Sequence, residues 1–273
     1  MDCFLIDGGT TNTRVWLRHG EALSGPERLA VGVRDTAVEG NNSRLKRELS
    51  AGFERLAERL GMPSLAVAAG MITSPLGLRE VGHCQAPAGA AELAAGAAET
   101  EFAEFPGLRW LLLPGVRSGP PEFDTASVAE VDIIRGEETE LMGALASGRL
   151  RPPLLYIHVG SHTKAIGVDP EGRITGGLST LGGELLDAVS KHTILASAVG
   201  GASATEASLD LLASGAQHAR RHGLTRTLFL VRLLEQRHYW SSEQLTGFLL
   251  GACIEADLAA IVLIGRASCR ERV

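Results

Sequence analysis

Two stretches of this chain share one layout, and that repeat limits the folds open to it. IDGGTTNTRVWLRHGE begins at Ile6, and IHVGSHTKAIGVDPEG begins at Ile157, 151 residues later. Aligned, Gly9 falls on Gly160, Thr10 on Ser161, Asn12 on Thr163 and Val15 on Ile166. Each copy reads as a strand, a turn of small polar residues and a second strand. A further turn follows at Gly20 in one copy and at Pro170-Glu171-Gly172 in the other. One Gly-Thr hairpin is unremarkable, because such turns are common. Two hairpins with the same layout, more than half a chain apart, favour a duplicated fold with two facing polar turns, although a match this short also arises by chance.

Around the repeat, short apolar runs bounded by Gly, Pro or Asp read as strands at residues 4–6, 14–18, 65–69, 110–113, 154–158, 165–168 and 261–264. Residues 43–60 carry Leu45, Leu49, Phe53, Leu56 and Leu60 on one helical face. Asn41 or Asn42 is placed to cap that helix, and Gly61-Met62-Pro63 stops it. A second helix starts near Ser241, where Ser241 and Gln244 have capping-box spacing, and runs toward Leu258. The alanine-rich stretch 88–103 fits helix or packed loop. Strands alternating with helices predict an α/β protein. The breaker-rich connection GVRSGPPEFDTAS, residues 115–127, places a domain boundary in or just after it, unless it is a long surface loop within one domain.

Composition narrows the function classes. The 273 residues are 45% hydrophobic and 21% charged, within the soluble globular range. A net charge of -6 disfavours nucleic acid or an acidic membrane as partner. No apolar run is expected to reach the roughly 20 residues of a membrane span, and no secretory signal is read at the N-terminus. Cys3, Cys84, Cys253 and Cys269 are scattered, without zinc or dithiol spacing, which suits reduced thiols in the cytoplasm.

Three constellations carry chemistry. In the first, a tight turn of small residues turns backbone N–H groups toward one point, adds hydroxyl donors and leaves room for an anion. Gly8, Gly9, Thr10, Thr11 and Asn12 form one such cradle, and Gly160, Ser161, His162 and Thr163 the other. Two cradles facing across a cleft would hold a polyphosphate from both sides. Asp7, at the strand end, suits Mg²⁺ held through water. Arg14 and Lys164 follow the turns and either neutralise phosphate oxygens or point outward as ordinary strand charges. The second constellation is RGEETELMGAL from Arg135, where Glu137 or Glu138 is placed to accept a proton from an attacking hydroxyl. The same acids also fit a helix N-terminus favoured by the macrodipole. The third is AAGMITSPLGLREVGH, residues 68–83, a strand-end loop of the kind that binds small polar substrates. His83 and His162 lack metal-ligand spacing and read as incidental.

These blocks resemble a known family. DGGTTNTRVWL is similar to the first phosphate motif of sugar kinases in the actin, hexokinase and Hsp70 superfamily. With GVRDTA from Gly32, AGMITSPLGLREV from Ala69, RGEETELMGAL, GSHTKAI from Gly160 and STLGGELLDAVSKHTIL from Ser179, the series resembles the 2-dehydro-3-deoxygalactonokinase family. The blocks stand in family order and span nearly the whole chain.

The resemblance implies two ribonuclease-H-like (actin-like ATPase) domains around a central cleft, residues 1–130 and 131–265, the second incomplete. It implies ATP and Mg²⁺, with transfer of the γ-phosphate to the 6-hydroxyl of 2-dehydro-3-deoxy-D-galactonate; the expected location is the cytoplasm, and the oligomeric state stays open, a homodimer included. Asp7 would serve the metal and catalysis, and Glu137, favoured over Glu138, would act as base. Gly8–Asn12, Arg14 and residues 160–164 would bind nucleotide phosphates, and Gly70, Met71, Thr73, Ser74 and Arg135 would bind the sugar acid. Residues 266–273 (RASCRERV) depart from the family pattern and read as a foreign tail after truncation. With the segment that covers adenosine missing, the expected turnover is weak or absent, and strand 261–264 would keep a bare apolar face. The alternatives are a kinase for another sugar or keto acid on the same fold, or a nucleotide-binding regulatory protein without turnover.

Overall fold

The computed structural model describes residues 1–58, 60–200 and 208–270, with side chains to residue 262. It is a mixed α/β chain that divides into two compact units, Met1–Tyr156 with Ile166–Gly177, and Ile157–Ala165 with Leu178–Val273.

The first unit is built on a six-stranded sheet. Its strands are β1 (Cys3–Gly8), β2 (Thr13–His19), β3 (Ala22–Leu29), β4 (Leu65–Gly70), β6 (Ala98–Glu101) and β7 (Arg109–Leu112), after β5 (Cys84–Gln85) is counted in chain order. They lie in the order β3-β2-β1-β4-β7-β6. β1 pairs antiparallel with β2 and parallel with β4, so it sits inside the sheet with both edges bonded. Phe4 and Ile6 are buried, as a strand covered by helix requires. The expected 43–60 helix is α2 (Ser43–Ala57), which follows the short α1 (Val33–Glu39). Leu45, Leu49 and Phe53 of α2 pack into the sheet's core, where Phe53 stacks on Phe4 with ring centroids 4.2 Å apart and meets Trp110 and Phe105. Asn41 Oδ1 accepts the Ser43 N–H at the helix start, while Asn42 turns away to donate to the Gly77 carbonyl. The alanine-rich stretch resolves into α3 (Ala90–Ala95) followed by β6.

A second sheet of this unit, order β5-β8-β9, contains β8 (Val116–Ser118) and β9 (Asp132–Ile134) and leads into α4 (Glu137–Ala146). Its core joins Ala88, Leu93 and Val116 to Ile134, Leu141, Ile166 and Ile174. Burial thus ties residues on both sides of the expected 130/131 boundary into one compact unit, and the 115–127 connection contributes β8 to it.

The second copy of the repeat is β10 (Leu154–His158) and β11 (Thr163–Val168), followed by β12 (Ile174–Thr180), in the sheet order β10-β11-β12. This matches the succession β1, β2, β3 of the first copy. The second unit takes only Ile157–Ala165 and the residues from Leu178 onward of these strands, and contains α5 (Gly182–His192), α6 (Ala196–Val199), α7 (Leu209–His222), α8 (Leu224–Glu235) and α9 (Ser242–Arg270). Its core joins Val189, Leu195, Val199, Val231, Leu245, Phe248 and Leu249.

Two expectations are corrected at α9. Residues 261–264 are helical, not a strand, so the bare strand face expected there does not exist. The capping box that starts α9 is formed in both directions, Ser241 N–H to Gln244 Oε1 at 3.0 Å and Gln244 N–H to Ser241 Oγ at 3.3 Å, and nothing breaks the helix before residue 261. Ile261-Val262 is a short β-branched run whose local preference yields to the helix already running through it. The second correction concerns apolar length. Residues Ser242–Val262 are long and apolar enough to cross a membrane by length and composition, and about half of that stretch is buried within the protein. Leu245, Phe248 and Leu249 bury its apolar face, and Glu255 receives a bidentate Arg220. Of the expected tail, residues 271–273 lie outside the described residues, as do the side chains of 263–270.

Candidate active site

Asp7 and Gly8 end β1 beside Ala69 and Gly70, which end the parallel strand β4. Ligands of open α/β sheets bind at such carboxyl ends. Close approach of backbone explains the glycines here. A Cβ on Gly8 would lie 2.4 Å from the Ile72 Cβ, and one on Gly70, where φ is +83°, would lie 2.6 Å from the Gly8 carbonyl oxygen. A Cβ on Gly136 would lie 3.3 Å from the Gly70 Cα. Three expected site segments, Asp7–Gly8, Gly70–Thr73 and Arg135–Glu138, therefore converge within one unit.

The first turn is half committed to the protein. The Gly9 N–H donates to the Asn12 carbonyl at 2.9 Å. The carbonyls of Gly9 and Thr10 accept the Val33 and Arg34 N–H groups at the start of α1. Gly32 makes that seat possible, since a Cβ there would lie 2.4 Å from the Thr10 oxygen. The Thr10, Thr11 and Asn12 amides have no backbone acceptor among the described residues, and Thr11 and Asn12 are exposed. Those amides are what the turn offers an anion. Arg14 does not point idly outward: its guanidinium meets Asp7 Oδ2 at 2.7 Å, both side chains about half exposed.

The two glutamates separate by burial. Glu138 is fully buried, and both its oxygens accept the Gly136 N–H, at 2.9 and 2.8 Å. Burial pushes its carboxyl up to about 7, against the pull of that Gly136 bond. Glu137 is partly exposed and accepts the Arg135 N–H through Oε2 at 3.1 Å. Accessibility therefore favours Glu137 as the carboxylate that meets a hydroxyl, and Glu138 fastens the start of α4.

The raised carboxyl of Glu138 makes a stability prediction. The folded state holds its proton at pH values where the unfolded chain, near 4.5, has released it. Stability from this group is therefore full below about pH 4.5 and is lost as pH rises through about 7. Urea unfolding of wild type and Glu138→Gln across pH 4.5 to 8 reads the difference. Wild type should lose on the order of 3 kcal/mol relative to the variant, since one pKa unit is about 1.4 kcal/mol.

Residues of the sugar-acid loop fall into two groups. Thr73 and Ser74 are buried, Met71 is partly exposed, and Arg79 and Glu80 are exposed. Arg135, expected to bind substrate, is turned inward to Thr73, Val81 and His83. Desolvation, with the Arg135 and Arg117 charges, holds His83 down to about 4, so its ring is neutral at pH 7.

In the second unit, the turn at Gly160–Thr163 rests on α5. The Ser161 carbonyl accepts the Glu184 N–H at 2.9 Å, and Gly183 approaches so closely that a Cβ would lie 2.1 Å from the Gly160 oxygen. His162 Nε2 is 3.2 Å from Glu184 Oε1. Lys164 is buried and donates to Ser179 Oγ at 2.8 Å, so it is no outward strand charge. Sequence reasoning missed Asp257 of α9, whose Oδ2 accepts the Thr163 hydroxyl at 2.7 Å. Ninety-four residues separate the two, and no local signal links them.

The fold and these residues define an α/β protein with a small-residue turn beside one strand-end carboxylate and an accessible helix-terminal glutamate, residue types that a phosphoryl-transfer enzyme uses. The model of the 2-keto-3-deoxy-galactonokinase family matches residues 7–267. A protein of Rhizobium meliloti named as a probable 2-dehydro-3-deoxygalactonokinase is 28% identical over 261 residues, 93% of this chain and 79% of the relative. The 2-dehydro-3-deoxygalactonokinase of Escherichia coli is 26% identical over 261 residues, 94% of this chain and 79% of that protein. A crystal structure from Sinorhizobium meliloti, solved under the same name provisionally, superposes with a TM-score of 0.76 at 26% identity, covering 94% of this chain and 80% of that one. The chain belongs to the 2-keto-3-deoxy-galactonokinase family.

Proposed function

We propose that this protein is an ATP-dependent carbohydrate kinase that transfers the γ-phosphate to the 6-hydroxyl of 2-dehydro-3-deoxy-D-galactonate. The observation that carries the reading is the family match over residues 7–267, which includes Asp7, the accessible Glu137 and both turns. On this reading the chain descends from two ribonuclease-H-like domains, residues 1–130 and 131–265, and the strand order β3-β2-β1-β4-β7 of the first sheet supports the first of them. On the same reading its partners are free sugar acid and ATP, and its work is cytoplasmic, without nucleic acid or membrane.

Phosphoryl transfer needs positioning and charge neutralisation more than covalent chemistry. The Thr10, Thr11 and Asn12 amides bind phosphate oxygens, and the Gly160–Lys164 turn repeats the small-residue layout within the second unit. Glu137 orients the acceptor hydroxyl and takes its proton. Among the described residues no three His, Cys, Asp or Glu side chains form a metal cage. A single carboxylate at Asp7, paired through Oδ2 with Arg14, fits Mg²⁺ that arrives with the nucleotide and keeps its waters. When bound, the ion would neutralise charge on the phosphate oxygens.

A coupled ADP-release assay over 2-keto-3-deoxy sugar acids, other keto acids and plain aldoses tests the reading. ADP release above the enzyme-free blank with 2-dehydro-3-deoxy-D-galactonate, and least with aldoses, is expected. Turnover of an aldose with none of the keto acids would overturn the substrate, and no turnover of any acceptor would overturn the activity.

A further inference from the structure

Both terminal nitrogens of the Arg135 guanidinium are engaged by protein. One terminal nitrogen donates to the Thr73 carbonyl at 2.9 Å and to the Thr73 hydroxyl at 2.7 Å. The other donates to the Val81 carbonyl at 2.8 Å and faces the His83 ring at 3.2 Å. None of these partners is a carboxylate. A rigid planar fork holds both sets of acceptors in one fixed geometry, whereas an ammonium is a compact point charge on a flexible stem. Thr73 in turn donates its hydroxyl to the Gly70 carbonyl at 3.0 Å, and Gly70 stands in register with Gly8. At the other end of the same residue, the Arg135 main-chain N–H holds Glu137 Oε2 at 3.1 Å.

We propose that Arg135 is a positioning residue for the acceptor hydroxyl: its side chain ties the Thr73–Val81 segment to the peptide that holds Glu137, and it does not bind the substrate carboxylate. The inference rests on the kinase reading above. It follows from geometry within one unit: one residue fixes, through its side chain, the loop beside Gly70 and, through its backbone, the proposed base. A neutral His83 suits this arrangement, because a charged ring would repel the guanidinium it faces. Misplacing a reacting group by about 1 Å can cost a hundredfold in rate, so the loss should fall on kcat.

The experiment compares wild type with Arg135→Met, Arg135→Lys and Thr73→Val by steady-state kinetics in both substrates. Amide hydrogen exchange across residues 73–81 is followed in parallel. Arg135→Met should lower kcat about a hundredfold and leave the KM for ATP within twofold, with faster exchange in 73–81. Arg135→Lys should recover only part of the rate, and Thr73→Val should move both readouts the same way by a smaller factor. A rise in the KM for sugar acid alone, at wild-type kcat and exchange, would make Arg135 a substrate ligand and overturn the proposal. Kinetics and exchange both at wild-type values would overturn it as well. Exchange needs no turnover, so unchanged protection of 73–81 sinks the tie even if no acceptor is phosphorylated, and faster exchange upholds it. Should Arg135→Met fail to fold, Arg135→Lys and Thr73→Val carry both readouts.

Discussion

Replacing Glu137 with Gln should lower kcat by 10²- to 10⁴-fold, the range a positioned general base contributes, with little change in melting temperature. The amide keeps an oxygen to accept the Arg135 N–H that Glu137 Oε2 now accepts at 3.1 Å, so the backbone at the start of α4 has no reason to move. What disappears is the capacity to take a proton. Glu138→Gln should behave in the opposite way. Its carboxyl is fully buried against the Gly136 N–H, so kcat should stay within about tenfold of wild type, below the loss that follows removal of a directly acting base, while the pH dependence of stability flattens. Kinetics and thermal melts on the two variants check this pair of outcomes. A kcat loss confined to Glu138→Gln would reverse the roles of the two glutamates.

The second large effect is structural. Gly70→Ala should cost roughly 3 kcal/mol or more, combining a left-handed backbone with a backbone clash. Gly70 has φ +83°, and its new Cβ would meet the Gly8 oxygen at 2.6 Å. The strands that end at Asp7 and Gly70 would have to separate, which also moves Asp7 from the turn it serves. For a unit of this size the melting temperature should fall by about 10 °C, measurable by differential scanning fluorimetry. Gly82→Ala is the control, because a Cβ there meets nothing within 4 Å, and it should melt with wild type. Equal melting of the two variants would remove the tight β1–β4 end as the reason for Gly70.

What was legible in the chain was local. The two hairpins announce themselves because Gly and hydroxyl residues concentrate at a turn for steric reasons that act within six residues. The α2 face and the Ser241–Gln244 box follow from helical spacing, and both form. What was not legible depends on contacts far along the chain. The inward turn of Arg135 had no local signal because its acceptors, at Thr73 and Val81, lie 62 and 54 residues away. Lys164 looked half free because its partner, Ser179, arrives on a later strand. Asp257 gave no sign at all. The difference between Glu137 and Glu138 is one of burial, which adjacent identical residues cannot reveal. Residues 261–264 misled for a different reason: four apolar residues fit strand or helix equally, and the length of α9 decides.

The central claim is that phosphate is moved from ATP to the primary hydroxyl of a 2-keto-3-deoxy sugar acid. Incubating the protein with ATP, Mg²⁺ and 2-dehydro-3-deoxy-D-galactonate, then recording a phosphorus–proton correlation spectrum of the product, tests it most directly. The predicted result is a phosphate monoester coupled to the C6 methylene protons. A monoester coupled to any ring or chain methine, or ADP formed with inorganic phosphate alone, would contradict it.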